Sequence, residues 1–165
     1  MWEQRKESDK MNSLIVYYSR TGTTRTVAEK LAALLDCPIE EIKDTQNRYG
    51  FIGFMRSGYQ AYRKKLTTIT PPENAPAEFD LVLIGTPVWA GTLSVPIRTY
   101  IHQYKEVFPA VAFFSTNGDE DQLGLFREME HLCGKHPLST VSIPAKTVKN
   151  GEYMTQLKRF LADIQ

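Results

Sequence analysis

Short apolar runs alternate along this chain with stretches in which apolar residues return every three or four positions. Leu14-Ile15-Val16, Leu81-Val82-Leu83-Ile84 and Val111-Ala112-Phe113-Phe114 are continuous runs. Runs without alternation fit strands covered on both faces, as in a parallel sheet. Leu138 to Ile143, closed by Pro144, reads as a last strand. Cys37-Pro38-Ile39-Glu40-Glu41-Ile42 alternates weakly and carries a proline, which suits a sheet edge. Between the strands lie helical stripes: Val27, Leu31, Leu34 and Leu35; Ile97, Tyr100, Ile101 and Tyr104 after Pro96; Phe126, Met129, Leu132 and Cys133 before Gly134; and Leu157, Phe160, Leu161 and Ile164. Pro near a helix start and Gly past its end are the expected punctuation. Strand and helix alternate five times. The pattern predicts right-handed crossovers and a three-layer α/β/α sandwich around a five-stranded parallel sheet, with candidate order 2-1-3-4-5.

At 165 residues the chain fits one domain with a sizeable core. Residues 1–11 carry no apolar segment of the kind a secretion signal needs and are expected to form a disordered extension, with residues 12–165 as the domain. No apolar run is long enough to span a membrane. Cys37 and Cys133 form no CxxC pair, so a reducing cytoplasm is the expected compartment. Cys133 and His136 are spaced as metal ligands can be, but two ligands do not make a site. A net charge of +1 argues against a general nucleic-acid binder.

Ligands of such sheets sit beyond the carboxyl ends of the strands, which directs attention to three loops. The first is Ser19-Arg20-Thr21-Gly22-Thr23-Thr24, between a strand and a helix. Helix starts present unpartnered N–H groups and partial positive charge, which suits a phosphate. Four hydroxyl side chains surround the same point, and Gly22 permits close approach or positive φ. A Ser/Thr-capped helix without a ligand would show similar residues. The Lys-Ser/Thr of a nucleotide P-loop and the GxGxxG of dinucleotide folds are both missing. The second loop, Thr86-Pro87-Val88-Trp89-Ala90-Gly91 and on to Ser94, places a tryptophan among small and turn-forming residues. Such a ring either covers a ligand or packs on its own loop. The third loop runs from Ser115-Thr116-Asn117-Gly118 to Asp119-Glu120-Asp121. Asn117-Gly118 signals a turn, and Asp119 or Asp121 can cap the following helix.

The first loop resembles the phosphate loop of flavodoxins, and the Thr86-Pro-Val-Trp-Ala-Gly stretch resembles the loop that lies against their flavin ring. Element order agrees from Met11 to Gln165. The chain is therefore similar to the flavodoxin-like family, the group of short-chain flavodoxins and flavodoxin-like NAD(P)H oxidoreductases. That resemblance implies non-covalent FMN. Ser19, Thr21, Gly22, Thr23 and Thr24 would hold its phosphate, with Arg20 either touching the phosphate or facing water. Thr86, Pro87, Val88, Trp89, Ala90 and Gly91 would line the ring, with Ser115, Thr116, Asn117 and Gly118 opposite. No side chain presents itself as an acid, base or nucleophile. Two functions stay open: an electron carrier serving a redox partner protein, and an NAD(P)H-dependent FMN or quinone reductase. A homodimer with the flavin at its boundary is compatible with either.

The chain departs from acidic flavodoxins in three ways. It is nearly neutral. The third loop has no aromatic to stack on the flavin, which leaves room for a nicotinamide or quinone. The connection between the second and third strands is long: from Thr45 to Pro72 it holds five Lys or Arg and no Asp or Glu, so the remainder of the chain is −4. Its segment 48–65 reads either as a crossover helix whose aromatics pack on the sheet or as a lid with a basic rim. The glycines at 50, 53 and 58 weaken a helix there. Basic residues among aromatics also occur in nucleic-acid grooves, but nothing else in the chain supports that use. A signalling receiver domain would need an acidic cluster after the first strand and an aspartate ending the third; Tyr17-Tyr18-Ser19 and Gly85-Thr86 stand there instead. The intact first loop argues against a domain that has lost its cofactor.

A unit negative charge about 10 Å from a reduced, anionic flavin destabilises it by roughly 0.4 to 1.7 kcal/mol at an effective dielectric of about 80 to 20. With fewer such charges, the hydroquinone potential is expected to be less negative than in acidic flavodoxins. A redox titration giving an equally low value contradicts this.

Overall fold

A computed structural model describes residues 10–118 and 123–164. Most of the expected N-terminal extension and the proposed caps Asp119 and Asp121 lie outside the described residues. Met11 packs against the core.

The strands are β1 (Ser13–Tyr17), β2 (Ile39–Glu41), β3 (Leu81–Trp89), β4 (Thr92–Leu93), β5 (Ala110–Asn117) and β6 (Thr140–Pro144). The helices are α1 (Thr23–Leu35), α2 (Gly50–Tyr62), α3 (Val95–Tyr104), α4 (Leu123–Cys133), α5 (Ala145–Asn150) and α6 (Met154–Ala162). The parallel sheet runs β2-β1-β3-β5-β6, the order the sequence pattern predicts. In addition, β4 folds back antiparallel on the end of β3.

Every residue of β1 and the first six of β3 are buried. Successive side chains of a strand point to opposite faces, so each strand feeds both layers. Leu14, Val16, Val82, Ile84, Val111 and Phe113 meet α3 and α4 through Ile97, Tyr100, Ile101, Leu125 and Met129. Ile15, Leu81, Leu83, Ala112 and Phe114 meet α1 and α6 through Val27, Leu31, Leu157 and Phe160. Leu34, expected on the buried stripe of α1, is exposed; Ala28 and Thr24 take that face instead. α5 has no sequence counterpart in the expected elements, being too short for a stripe to register.

The long crossover is ordered by two carboxylates. Glu40 accepts the backbone N–H groups of Glu73 and Asn74 at 3.1 and 3.0 Å, and the Asn74 side-chain amide at 2.6 Å. Asp44 accepts the N–H of Gln46 and the Thr67 hydroxyl, each at 2.9 Å, and pairs with Arg48. Between these ties runs α2, and it runs inside out. Its buried residues are Gly53, Ser57 and Ala61, a small-residue seam at i, i+4, i+8. Phe51, Ile52, Met55, Tyr59 and Tyr62 face outward, and no α2 side chain enters either apolar cluster. This corrects the reading in which the aromatics of the crossover pack on the sheet. The three glycines did not prevent the helix. Gly53 is required by it: a Cβ there would come 2.3 Å from the backbone carbon of Arg48.

Gly53→Ala is therefore expected to destabilise by about 1–3 kcal/mol as an overpacked contact. Gly58→Ala, with open space at its Cβ, should stabilise by about 0.5–1 kcal/mol. Urea unfolding of the two variants checks both signs.

Candidate functional site

The carboxyl ends of β1, β3 and β5 converge on one cleft of about 240 Å³. At its base α1 begins at Gly22, whose φ of 102° is left-handed and favours glycine. Ser19 Oγ accepts the Gly22 N–H at 3.0 Å and closes the turn. The first intrahelical bond is Thr26 N–H to the Gly22 carbonyl at 3.0 Å. Among the described residues, the N–H groups of Thr23, Thr24 and Arg25 therefore have no acceptor, as expected at a helix start. The Thr24 hydroxyl is buried and lies 2.7 Å from the Thr116 hydroxyl, joining the first loop to the third. Arg25 turns away to Glu41 at 2.6 Å on the edge strand. Arg20 lies with its guanidinium carbon 5.3 Å from the ring centroid of Phe54 on α2.

The second wall is the turn between β3 and β4. Ala90 and Gly91 have φ of 49° and 77°, the paired left-handed residues of a tight two-residue hairpin. Thr86 is fully buried and its Oγ1 accepts the Ser94 N–H at 2.9 Å while lying 2.8 Å from the Pro87 carbonyl oxygen. Its hydroxyl closes the hairpin. Trp89, at the tip, is held from two sides. Tyr18 meets it edge-on with centroids 5.4 Å apart, and the Arg48 guanidinium carbon sits 5.3 Å from its ring centroid. Burial pushes the Tyr18 phenol up to about 12, so it stays neutral beside the ring.

Arg48 is 2% exposed. It pairs with the equally buried Asp44 and donates to Ser57 Oγ at 3.2 Å and Gln60 Oε1 at 3.0 Å. The base of the hairpin has a second anchor. Arg98, also buried, donates to Thr92 Oγ1 at 3.0 Å and to Glu128 Oε1 at 2.8 Å. The Thr92 hydroxyl donates to Glu128 Oε2 at 2.5 Å, and Lys64 closes from the crossover at 3.3 Å.

Of the residues the sequence nominated, Ser19, Arg20, Thr21, Thr23, Thr24, Pro87, Val88, Trp89, Thr116, Asn117 and Gly118 line the cleft. Gly22, Thr86, Ala90, Gly91 and Ser115 do not; they shape its walls. Ser115 is fully buried and donates to Ser142 Oγ at 3.0 Å. Both expected loops begin later than the sequence indicates, because β3 continues to Trp89 and β5 to Asn117. Phe54 and Ala145 also line the cleft, and Lys146 and Lys149 border the groove beside Thr21 and Thr23. Sequence pattern missed these. Arg48 was missed too; its signal was Asp44 four residues before it in a stretch otherwise without acids. Cys133 is buried, and His136 Nδ1 lies 2.8 Å from Glu130 Oε1.

The arrangement suits a phosphorylated planar ligand. The acceptorless start of α1 and the Thr21 and Thr23 hydroxyls could hold a dianion, with Lys146 and Lys149 on the adjoining groove. Trp89, Asn117 and Gly118 line the same cleft.

Burial raises the Glu128 carboxyl, but the hydrogen bonds from Thr92 and Arg98 and the nearby cations outweigh it and hold the group below its ordinary 4.5. A depressed folded value means the stabilisation is complete above about 4.5 and lost as pH falls through the folded value. Stability is expected to drop on acidification below that point. Glu128→Gln should flatten this acid limb and cost about 1–3 kcal/mol at neutral pH, read by urea unfolding across a pH series.

With this geometry in place, known proteins provide a comparison. A flavodoxin family model matches residues 12–164. A search of curated proteins gave no match. The flavoprotein of Lactobacillus acidophilus, solved in complex with FMN, is 26% identical, with 85% of this chain and 97% of that one covered and a TM-score of 0.70. A protein from Bacteroides eggerthii is 21% identical over 92% of this chain and 98% of its own, with a TM-score of 0.71. An NADH:FMN oxidoreductase is 14% identical over 92% and 87%, with a TM-score of 0.53. The last two likenesses concern the fold alone. The family match spans nearly the whole chain and agrees with the sheet order and the three converging loops: the protein belongs to the flavodoxin family.

Proposed function

We propose that this protein holds FMN non-covalently in the cleft and passes electrons through it, in the cytoplasm, to or from a redox partner. The observation that carries this is the meeting, in one cleft, of the acceptorless start of α1 and the Trp89 indole. The relative solved with FMN supports the same reading. The flavin would supply the redox chemistry. The protein's part is placement. The amides of Thr23, Thr24 and Arg25 and the hydroxyls of Thr21 and Thr23 take the phosphate. Lys146 and Lys149 add positive potential. Trp89, kept in place by Tyr18 and Arg48, packs on the ring and excludes water from that face.

A second reading is an NAD(P)H-dependent reductase of FMN or quinone using the same site. It draws on one observation: no aromatic of the third loop up to Gly118 covers the cleft, and the ring at its rim, Phe54, is itself more than half exposed. A nicotinamide or quinone could approach from that side.

Titration of apoprotein with FMN in a calorimeter is expected to give one site per chain. Riboflavin, which lacks the phosphate, should bind about 100-fold more weakly, the equivalent of about two charge-assisted hydrogen bonds. Equal affinity for the two would remove the phosphate site. Bleaching of the flavin by NAD(P)H without oxygen would favour the reductase; no bleaching would favour the carrier.

A further inference from the structure

The outward side of α2 is the one large apolar surface among the described residues that the fold leaves uncovered. Phe51 is 78% exposed, Ile52 73% and Tyr62 71%, with Met55 and Tyr59 also open. At 100° per residue these five fall within an arc of about 100°, opposite the Gly53, Ser57 and Ala61 seam. Arg56 and Arg63 fall at one edge of the arc and are exposed. Lys65 follows, its ammonium 5.5 Å from the Tyr59 ring centroid. Tyr49 and Leu66 extend the exposed apolar surface before and after the helix. No acid occurs from Thr45 to Pro72. Phe54 falls about 60° beyond the other edge of the arc, between it and the seam, and lines the cleft.

An apolar arc with cations on its margin, on a helix lying along the outside of a fold, has the form of an element that sits in a lipid interface. We propose that α2 docks this protein on an anionic bilayer. Phe51, Ile52, Met55, Tyr59 and Tyr62 enter the acyl boundary, and Arg56, Arg63 and Lys65 meet anionic headgroups. Charge selects this occupant. Two copies paired about a two-fold axis would set the cationic, acid-free stretch against itself. The remaining chain is −4 in net charge, so on balance a negatively charged leaflet repels it and attracts this stretch. No helix among the described residues is long and apolar enough to cross a membrane, so the contact is peripheral. It places the mouth of the cleft beside the lipid. The proposal does not depend on which ligand the cleft takes.

The test is co-sedimentation of the full chain with phosphatidylcholine vesicles and with vesicles containing about 30 mol% phosphatidylglycerol, at low and high salt. Binding to the anionic vesicles is expected to exceed binding to neutral ones by about tenfold and to be lost at high salt. The double variants Phe51→Ser/Ile52→Ser and Arg56→Glu/Arg63→Glu should each reduce it by about tenfold. All four side chains are exposed, so urea unfolding should stay unchanged, and FMN titration should too. No binding to anionic vesicles, binding indifferent to headgroup charge, or binding that survives both variants overturns the proposal. So does a dimer in sedimentation velocity that Phe51→Ser/Ile52→Ser dissociates while the parent chain ignores vesicles; the face would then belong to a second copy.

Discussion

A single buried cation organises the side of the molecule that matters for function. Arg48 is taken out of water together with Asp44, and such a charge is tolerated only when paired and hydrogen-bonded. Its partners come from different places in the chain: Asp44 after β2, Ser57 and Gln60 on α2, and the Trp89 ring at the tip of the β3–β4 hairpin. Pairing one guanidinium with these groups therefore fixes where the crossover helix lies and where the indole lies. The same requirement explains the helix's seam. To bring α2 over the Arg48 backbone, the contacting residue must be glycine, and the residues one and two turns on are also small.

The parallel sheet makes the remaining geometry inexpensive. Strands buried on both faces give a rigid comb whose carboxyl ends lie side by side. Thr86 pairs with Ser115 and Pro87 with Thr116 across β3 and β5, so the second and third loops emerge in fixed register. The first loop needs only a hydroxyl contact, Thr24 to Thr116, to join them. The site is thus assembled from strand ends and one helix start, with side chains adding shape more than new backbone.

Much of this is legible in the sequence itself. Continuous apolar runs marked the central strands, and the proline-bearing segment marked the edge strand β2. Ser19 to Thr24 marked the turn from β1 into α1, because its hydroxyls and glycine act locally. Other features were not legible. The ends of β3 and β5 are polar enough to read as loop, yet neighbouring strands hold them in the ladder. Thr86 and Ser115 read as ligand-facing residues, but burial turns their hydroxyls to internal partners. The orientation of α2 was hidden because apolar periodicity is normally read as facing inward. Here the inward face is Gly53, Ser57 and Ala61, and only the close approach to Arg48 reveals it. Long-range pairs such as Arg98 with Glu128 leave no pattern in the chain.

The Thr24–Thr116 contact has a mechanical corollary. It ties together the walls formed by the first and third loops, which are rooted in β1 and β5 on either side of β3. The wall contributed by α2 is built differently: it touches the first loop through Arg20 and Phe54 and rests by small residues on β3, β4 and α3. Phe54, more than half exposed at the rim, is thus the part of the enclosure whose rotation asks nothing of the sheet.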